Sequence, residues 1–130
     1  MRPTLRLISL AVAASCVPPA LAHHSFAAEF DMNQPIQLRG TVTEIEFINP
    51  HSWIHIDVKK DDGTVESWAI EGGTPNTLFR KGVNDNTLPP GTELLVEGYR
   101  ARDGTNRASG RDITFADGRK VFLGGSAPPQ

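Results

Sequence analysis

The chain has a single cysteine among 130 residues, and that residue, Cys16, lies within the first 22. Downstream of it no disulfide can form, no thiolate can hold zinc and no cysteine can act as a nucleophile. Cohesion must therefore come from a hydrophobic core. Positive charge is not in excess either, because 13 Lys and Arg stand against 15 Asp and Glu. That balance argues against the basic footprint of a nucleic-acid-binding protein. No apolar run beyond position 22 approaches the roughly 20 residues that a transmembrane helix needs. Aromatic residues amount to two Trp, one Tyr and six Phe, so each bears on either the core or a surface. A serine elbow, a phosphate-binding glycine loop, a cysteine-rich zinc pattern and a paired-histidine helix are all missing. The balance leans away from an enzyme without deciding the matter.

What is present begins with residues 1–22, which read as a secretory signal. Arg2 and Arg6 supply the positive start, Leu5 to Val17 the apolar stretch, and Ala20-Leu21-Ala22 the small residues of a cleavage point. The expected product is periplasmic or secreted, begins at His23 and carries 11 basic against 15 acidic residues. Lipid attachment at Cys16 is the minor alternative, weakened by Ala13 standing where a larger aliphatic residue is preferred.

The mature chain divides into an N-terminal arm at 23–37, a β domain at 38–123 and a tail at 124–130 expected to be disordered. Leu38 to Ile48 predicts a first strand, with a change of phase near Thr43-Glu44 that implies a bulge. In Trp53 to Val58, Ile54, Ile56 and Val58 alternate cleanly with Trp53, His55 and Asp57. Asp61-Asp62-Gly63 turns the chain into a third strand, Val65 to Glu71. Thr74 and Pro75 open a short helix, and Gly82 suits its left-handed end. Glu93 to Tyr99, Arg111 to Phe115 and a short extension at Lys120 to Leu123 complete the pattern. Three strands, a helix and two or three strands predict a mostly β fold, a small five-stranded Greek-key barrel of the oligonucleotide/oligosaccharide-binding (OB) type, with its helix between strands three and four. A small β-sandwich is the alternative.

Several of these segments resemble a family of small secreted bacterial proteins of unknown function. The resemblance rests on His23-His24-Ser25-Phe26, Gly40-Thr41-Val42, Asn49-Pro50-His51-Ser52-Trp53, Trp68-Ala69-Ile70-Glu71-Gly72-Gly73 with Pro75-Asn76, and Leu88-Pro89-Pro90-Gly91. It covers nearly the whole mature chain. Val83 departs from a tryptophan expected after the helix glycine. The resemblance implies a single exported domain and brings no reaction or ligand.

Histidine carries the chemistry that remains. Cleavage after Ala22 would free the α-amine of His23 to chelate with its own imidazole, and His24 would add a second imidazole or its preceding amide. Such nitrogen-rich sets suit Cu(II). His51 follows Asn49-Pro50 at a strand start, where a rigid backbone suits either ligation or a hydrogen bond to a carbonyl. His51, Trp53 and His55 share a strand face, but 51 and 55 stand too far apart to share one ion. The metal set is therefore His23, His24 and His51. Trp53, His55, Glu71 and Tyr99 form a second candidate, a ligand or partner surface for an exported protein or a glycan. A hydrolase centred on Glu71 and His51 is a third, and it requires those side chains to meet in one cleft.

Overall fold

The computed structural model describes residues 26–126. Cys16 and the rest of the proposed signal lie outside this range, as do His23 and His24. A single turn of helix, α1 (Phe26–Glu29), leads directly into the long strand β1 (Phe30–Glu46). Then follow β2 (Trp53–Lys59), β3 (Val65–Glu71), the helix α2 (Pro75–Arg80), β4 (Glu93–Ala101), β5 (Arg107–Phe115) and β6 (Lys120–Phe122). Hydrogen bonding orders the sheet β3-β2-β1-β4-β5-β6, and β3 also pairs in parallel with β5. That extra pairing closes five strands into a ring. With α2 between β3 and β4, this is the predicted OB-type barrel rather than two separate sheets.

The alternation along β2 and β3 decides which face is inside. Ile54, Ile56 and Ile70 are fully buried, and Val42, Leu94, Val96, Ala108 and Ile113 join them in one cluster. Val83 is also fully buried there, so the position that departs from the family pattern is a core position. Gly98 allows β4 and β5 to meet at a bulge, since a Cβ there would collide with the Ser109 carbonyl.

The turn chemistry acts as its residues predict. Thr74 Oγ1 accepts the Thr77 N–H at 3.2 Å, Pro75 occupies the first helical position and Gly82 has φ 76°. The expected bulge falls between Val42 and Glu44.

Three boundaries differ by more than two residues. β1 starts at Phe30, not Leu38, so the second half of the predicted arm is a strand laid against β4, with Pro35 opposite Tyr99 and Ile36 opposite Gly98. Phe30, Met32, Ile36 and Leu38 alternate here, but Gln34 and Pro35 break the run, and between Phe30 and Pro35 the register shifts while Asp31 accepts from the Asn33 N–H and the Gln34 side-chain amide. β5 starts at Arg107, not Arg111, where the parallel pairing with β3 begins. Finally, Gly124 to Ser126, assigned in sequence to a disordered tail, lie against the end of β3. A Cβ on Gly73 would stand 2.7 Å from the Gly124 carbonyl oxygen and 2.8 Å from that of Leu123. Only glycine lets the two backbones approach this closely.

Candidate functional site

Because Ile54 and Ile56 point inward, His51, Trp53 and His55 are directed to the outside of the barrel. Register extends this face across the neighbouring strands. Trp53 pairs with Glu71 on β3, Glu71 with Ser109 on β5, and Ser109 with Tyr99 on β4. Paired residues share a face. One outer row therefore joins Trp53, Glu71, Ser109 and Tyr99, with His51 at its end. The flat face over strands two and three is also where OB barrels commonly take ligands, although a shared fold alone assigns no function.

An outward residue of a barrel should be solvated, yet Glu71 is only 2% exposed, Ser109 is 0% and Tyr99 is 4%. Chain from both ends covers them. On the C-terminal side, Ser126 donates its backbone N–H to Glu71 Oε1 at 3.2 Å and its hydroxyl to the same oxygen. Ser109 Oγ adds a third donor at 3.4 Å. A buried carboxylate requires such compensation. Oε1 is thus held from three directions, and Oε2 faces His51 Nδ1 at 3.5 Å.

The position of His51 is set by its neighbour. Ser52 is fully buried, its N–H donates to the Gly73 carbonyl at 2.9 Å, and its carbonyl accepts the Gly72 N–H at 2.8 Å. This two-way clamp fixes the β1–β2 loop to the end of β3. The imidazole of His51 accordingly lies beside Glu71 with about a third of its side chain exposed.

On the N-terminal side, Phe26 stacks on Phe30 with ring centres 5.8 Å apart and meets Tyr99 edge-on at 5.5 Å. Phe30, Tyr99 and Ala101 form a second buried cluster outside the barrel. Arg102 fastens α1 through Nε–H to the Ala27 carbonyl at 2.7 Å, and its backbone N–H donates to the Glu29 carbonyl at 2.9 Å. Glu29 lies 3.9 Å from Arg107, whose guanidinium sits over the Trp53 ring, 4.9 Å from its centre. Contacts therefore run unbroken from α1 to the face that carries His51.

His51 and Glu71 are brought together, whereas His55 is held apart with its Nε2 2.9 Å from Glu46 Oε2. Trp53 stays half-buried under Arg107, but Tyr99 offers no exposed ring, so an aromatic platform of Trp53 with Tyr99 does not form on this surface. The covering of Tyr99 by Phe26 is the physical reason. For a hydrolase, the required proximity of Glu71 and His51 is met, but the serine hydroxyls bond to the carboxylate and not to the imidazole. A serine nucleophile needs the histidine between itself and the acid. Among the described residues, no three His, Cys, Asp or Glu side chains converge on a metal-sized site. Sequence reasoning did not single out Ser109, Ser126 or Phe26 as parts of this site. Nothing local in the sequence marks Ser109 or Ser126 as partners of Glu71.

Fold and site together define a small closed β-barrel domain with a histidine-bearing outer face covered by the two ends of the described chain. The chain belongs to the family of unknown function DUF6152, whose sequence profile matches residues 10–110. No curated protein and no solved structure matches it. Among the described residues, no helix is long and apolar enough to cross a membrane.

Proposed function

We propose that the protein is an exported, non-enzymatic binding domain that takes Cu(II) through the His23 amine and imidazole, His24 and His51. In this reading the signal is cleaved after Ala22 and the product works in the periplasm or outside the cell. The observation that carries it is the Glu71 carboxylate facing His51 Nδ1 at 3.5 Å. A histidine that ligates a metal through one ring nitrogen usually has the other fixed by a carboxylate or carbonyl, which sets tautomer and orientation. Glu71, itself held by three donors, is suited to that role, and it leaves Nε2 of His51 for a metal. Since the described residues hold no complete ligand set of their own, His51 needs further ligands. Histidines 23 and 24, just ahead of the docked α1, provide the nitrogen donors that Cu(II) favours.

The test is a competitive Cu(II) titration of the exported protein, with its amino terminus verified by mass spectrometry. His51→Ala is expected to weaken binding by at least ten-fold, and so is an extra residue placed ahead of His23. Unchanged affinity in both variants would remove the folded copper site. Capture of a partner protein or glycan that depends on Trp53 and not on His51 would favour an adaptor instead.

A further inference from the structure

An outward-facing carboxylate that is only 2% exposed needs a cover, and for Glu71 the cover is a strap at the C-terminal end of the described chain. Leu123 anchors the strap: its side chain is fully buried, its N–H donates to the Arg111 carbonyl at 2.9 Å, and its carbonyl accepts the Gly73 N–H at 3.0 Å. Gly124 and Gly125 then cross the end of β3 backbone against backbone. A Cβ on Gly125 would stand 3.1 Å from the Gly72 carbonyl carbon and oxygen, so the crossing is close enough for Ser126 to reach Glu71. We propose that Ser126 is a positioning residue that acts through Glu71 to fix the tautomer of His51, with the proton on Nδ1 and Nε2 open. The proposal deepens the copper reading and rests on it for the use made of Nε2, whereas the tautomer itself is read on metal-free protein.

The device works through the planarity of the carboxylate. Ser126 gives Oε1 its N–H at 3.2 Å and its hydroxyl, and Ser109 Oγ braces the pair, 3.1 Å from Ser126 Oγ and 3.4 Å from Oε1. With one oxygen pinned, the other cannot turn toward solvent, and Oε2 stays 3.5 Å from His51 Nδ1. A negative charge on that side of the ring favours the proton on Nδ1, which leaves the lone pair on Nε2. The His51 side chain is a third exposed, so its nitrogens exchange protons with water, and the selection of one tautomer falls to this charge and not to burial. Facing a carboxylate in this way corresponds to about a ten-fold excess of the Nδ1–H form. Without the donors of Ser126 the buried Oε1 loses most of its compensation, the carboxylate turns toward water, and the bias on His51 goes with it.

Nitrogen NMR of isotopically labelled imidazoles tests this on metal-free protein prepared with His23 as its first residue, at a pH about two units above the usual histidine value of ~6.5. His51→Ala assigns the signals. The wild type is expected to show a protonated Nδ1 and a bare Nε2 at His51. Ser126→Pro removes both donors, because proline has no N–H, and is expected to erase the excess of the Nδ1–H form. Ser126→Thr keeps both donors and is expected to retain the wild-type signature, which a merely space-filling role for Ser126 would not require. Should Ser126→Pro fail to fold by circular dichroism, Ser126→Ala, which loses the hydroxyl alone, is expected to shift the signature in the same direction. A wild-type His51 with its proton on Nε2, or an unchanged signature in a folded Ser126→Pro or Ser126→Ala protein, would overturn the proposal. A Cu(II) titration separates it from the reading beneath it: a tautomer that follows Ser126 while His51→Ala leaves copper affinity unchanged would uphold the strap and remove the copper site. An unchanged tautomer beside a copper affinity that depends on His51 would do the reverse.

Discussion

Glu71 is an outward-pointing carboxylate that the fold nevertheless buries, and its two oxygens have separate tasks. Oε1 receives Ser126 and Ser109, while Oε2 faces His51. Replacing Glu71 by Gln keeps the shape but removes the charge that would stabilise a metal-bound imidazole and puts a donor NH2 where one oxygen stood. Supporting carboxylates of this kind typically contribute 10–100-fold to metal affinity. The expected outcome for Glu71→Gln is a loss of Cu(II) affinity of about that size, with the fold kept, measured by competition with a chromogenic chelator. At this scale the sequence was partly legible. Strict alternation in β2 placed His51, Trp53 and His55 on one face, and that placement holds. The burial of Glu71 was not legible, because it depends on Ser126, which is 55 residues away in the chain. Tyr99 was misjudged as a surface ring for a similar reason, since its cover comes from Phe26, before β1 begins.

Among the elements, turns proved the most readable, because their chemistry is local. Two connections repeat one device: Thr64 gives its hydroxyl and amide to Asp62, at 2.6 and 2.9 Å, and Thr105 does the same for Asp103, at 2.6 and 3.0 Å. In each case the threonine hydroxyl, followed by its amide, holds the aspartate carboxyl below its ordinary range. A carboxyl lowered by folding stabilises the native state above its unfolded value, about 3.9, and that contribution fades as pH falls through the lower folded value. Urea midpoints of the wild type and of Asp62→Ala with Asp103→Ala are therefore expected to differ above about pH 4 and to converge in stronger acid. A constant difference down to pH 2 would contradict the assignment. β1 was the least readable element. Its first half carries apolar residues at alternate positions, Phe30, Met32, Ile36 and Leu38, but Asn33-Gln34-Pro35 interrupts them where the register with β4 shifts, so the run does not read as one strand. The start of β5 was lost likewise, since Arg107, Ala108, Ser109 and Gly110 form no apolar run.

For the whole molecule, the order of strands around the helix was enough to anticipate the barrel, because the parallel contact between β3 and β5 is the natural closure of that order. Less predictable was the use of the barrel's outside. Both ends of the described chain return to the outer row, Phe26 onto Tyr99 and Ser126 onto Glu71, and the Glu71 carboxylate also faces His51. Without cysteine downstream of position 16 no disulfide can fasten these segments, and here aromatic packing of Phe26 and hydrogen bonds from Ser126 to a carboxylate do so. The central proposal is that His51 ligates Cu(II) together with the His23 amine and imidazole and His24. Electron paramagnetic resonance of the Cu(II)-loaded protein, prepared with His23 as its first residue, tests it most directly. The account predicts coupling to imidazole nitrogen from His51, lost in His51→Ala while the amino-terminal signal persists. A spectrum that His51→Ala leaves unchanged would contradict it.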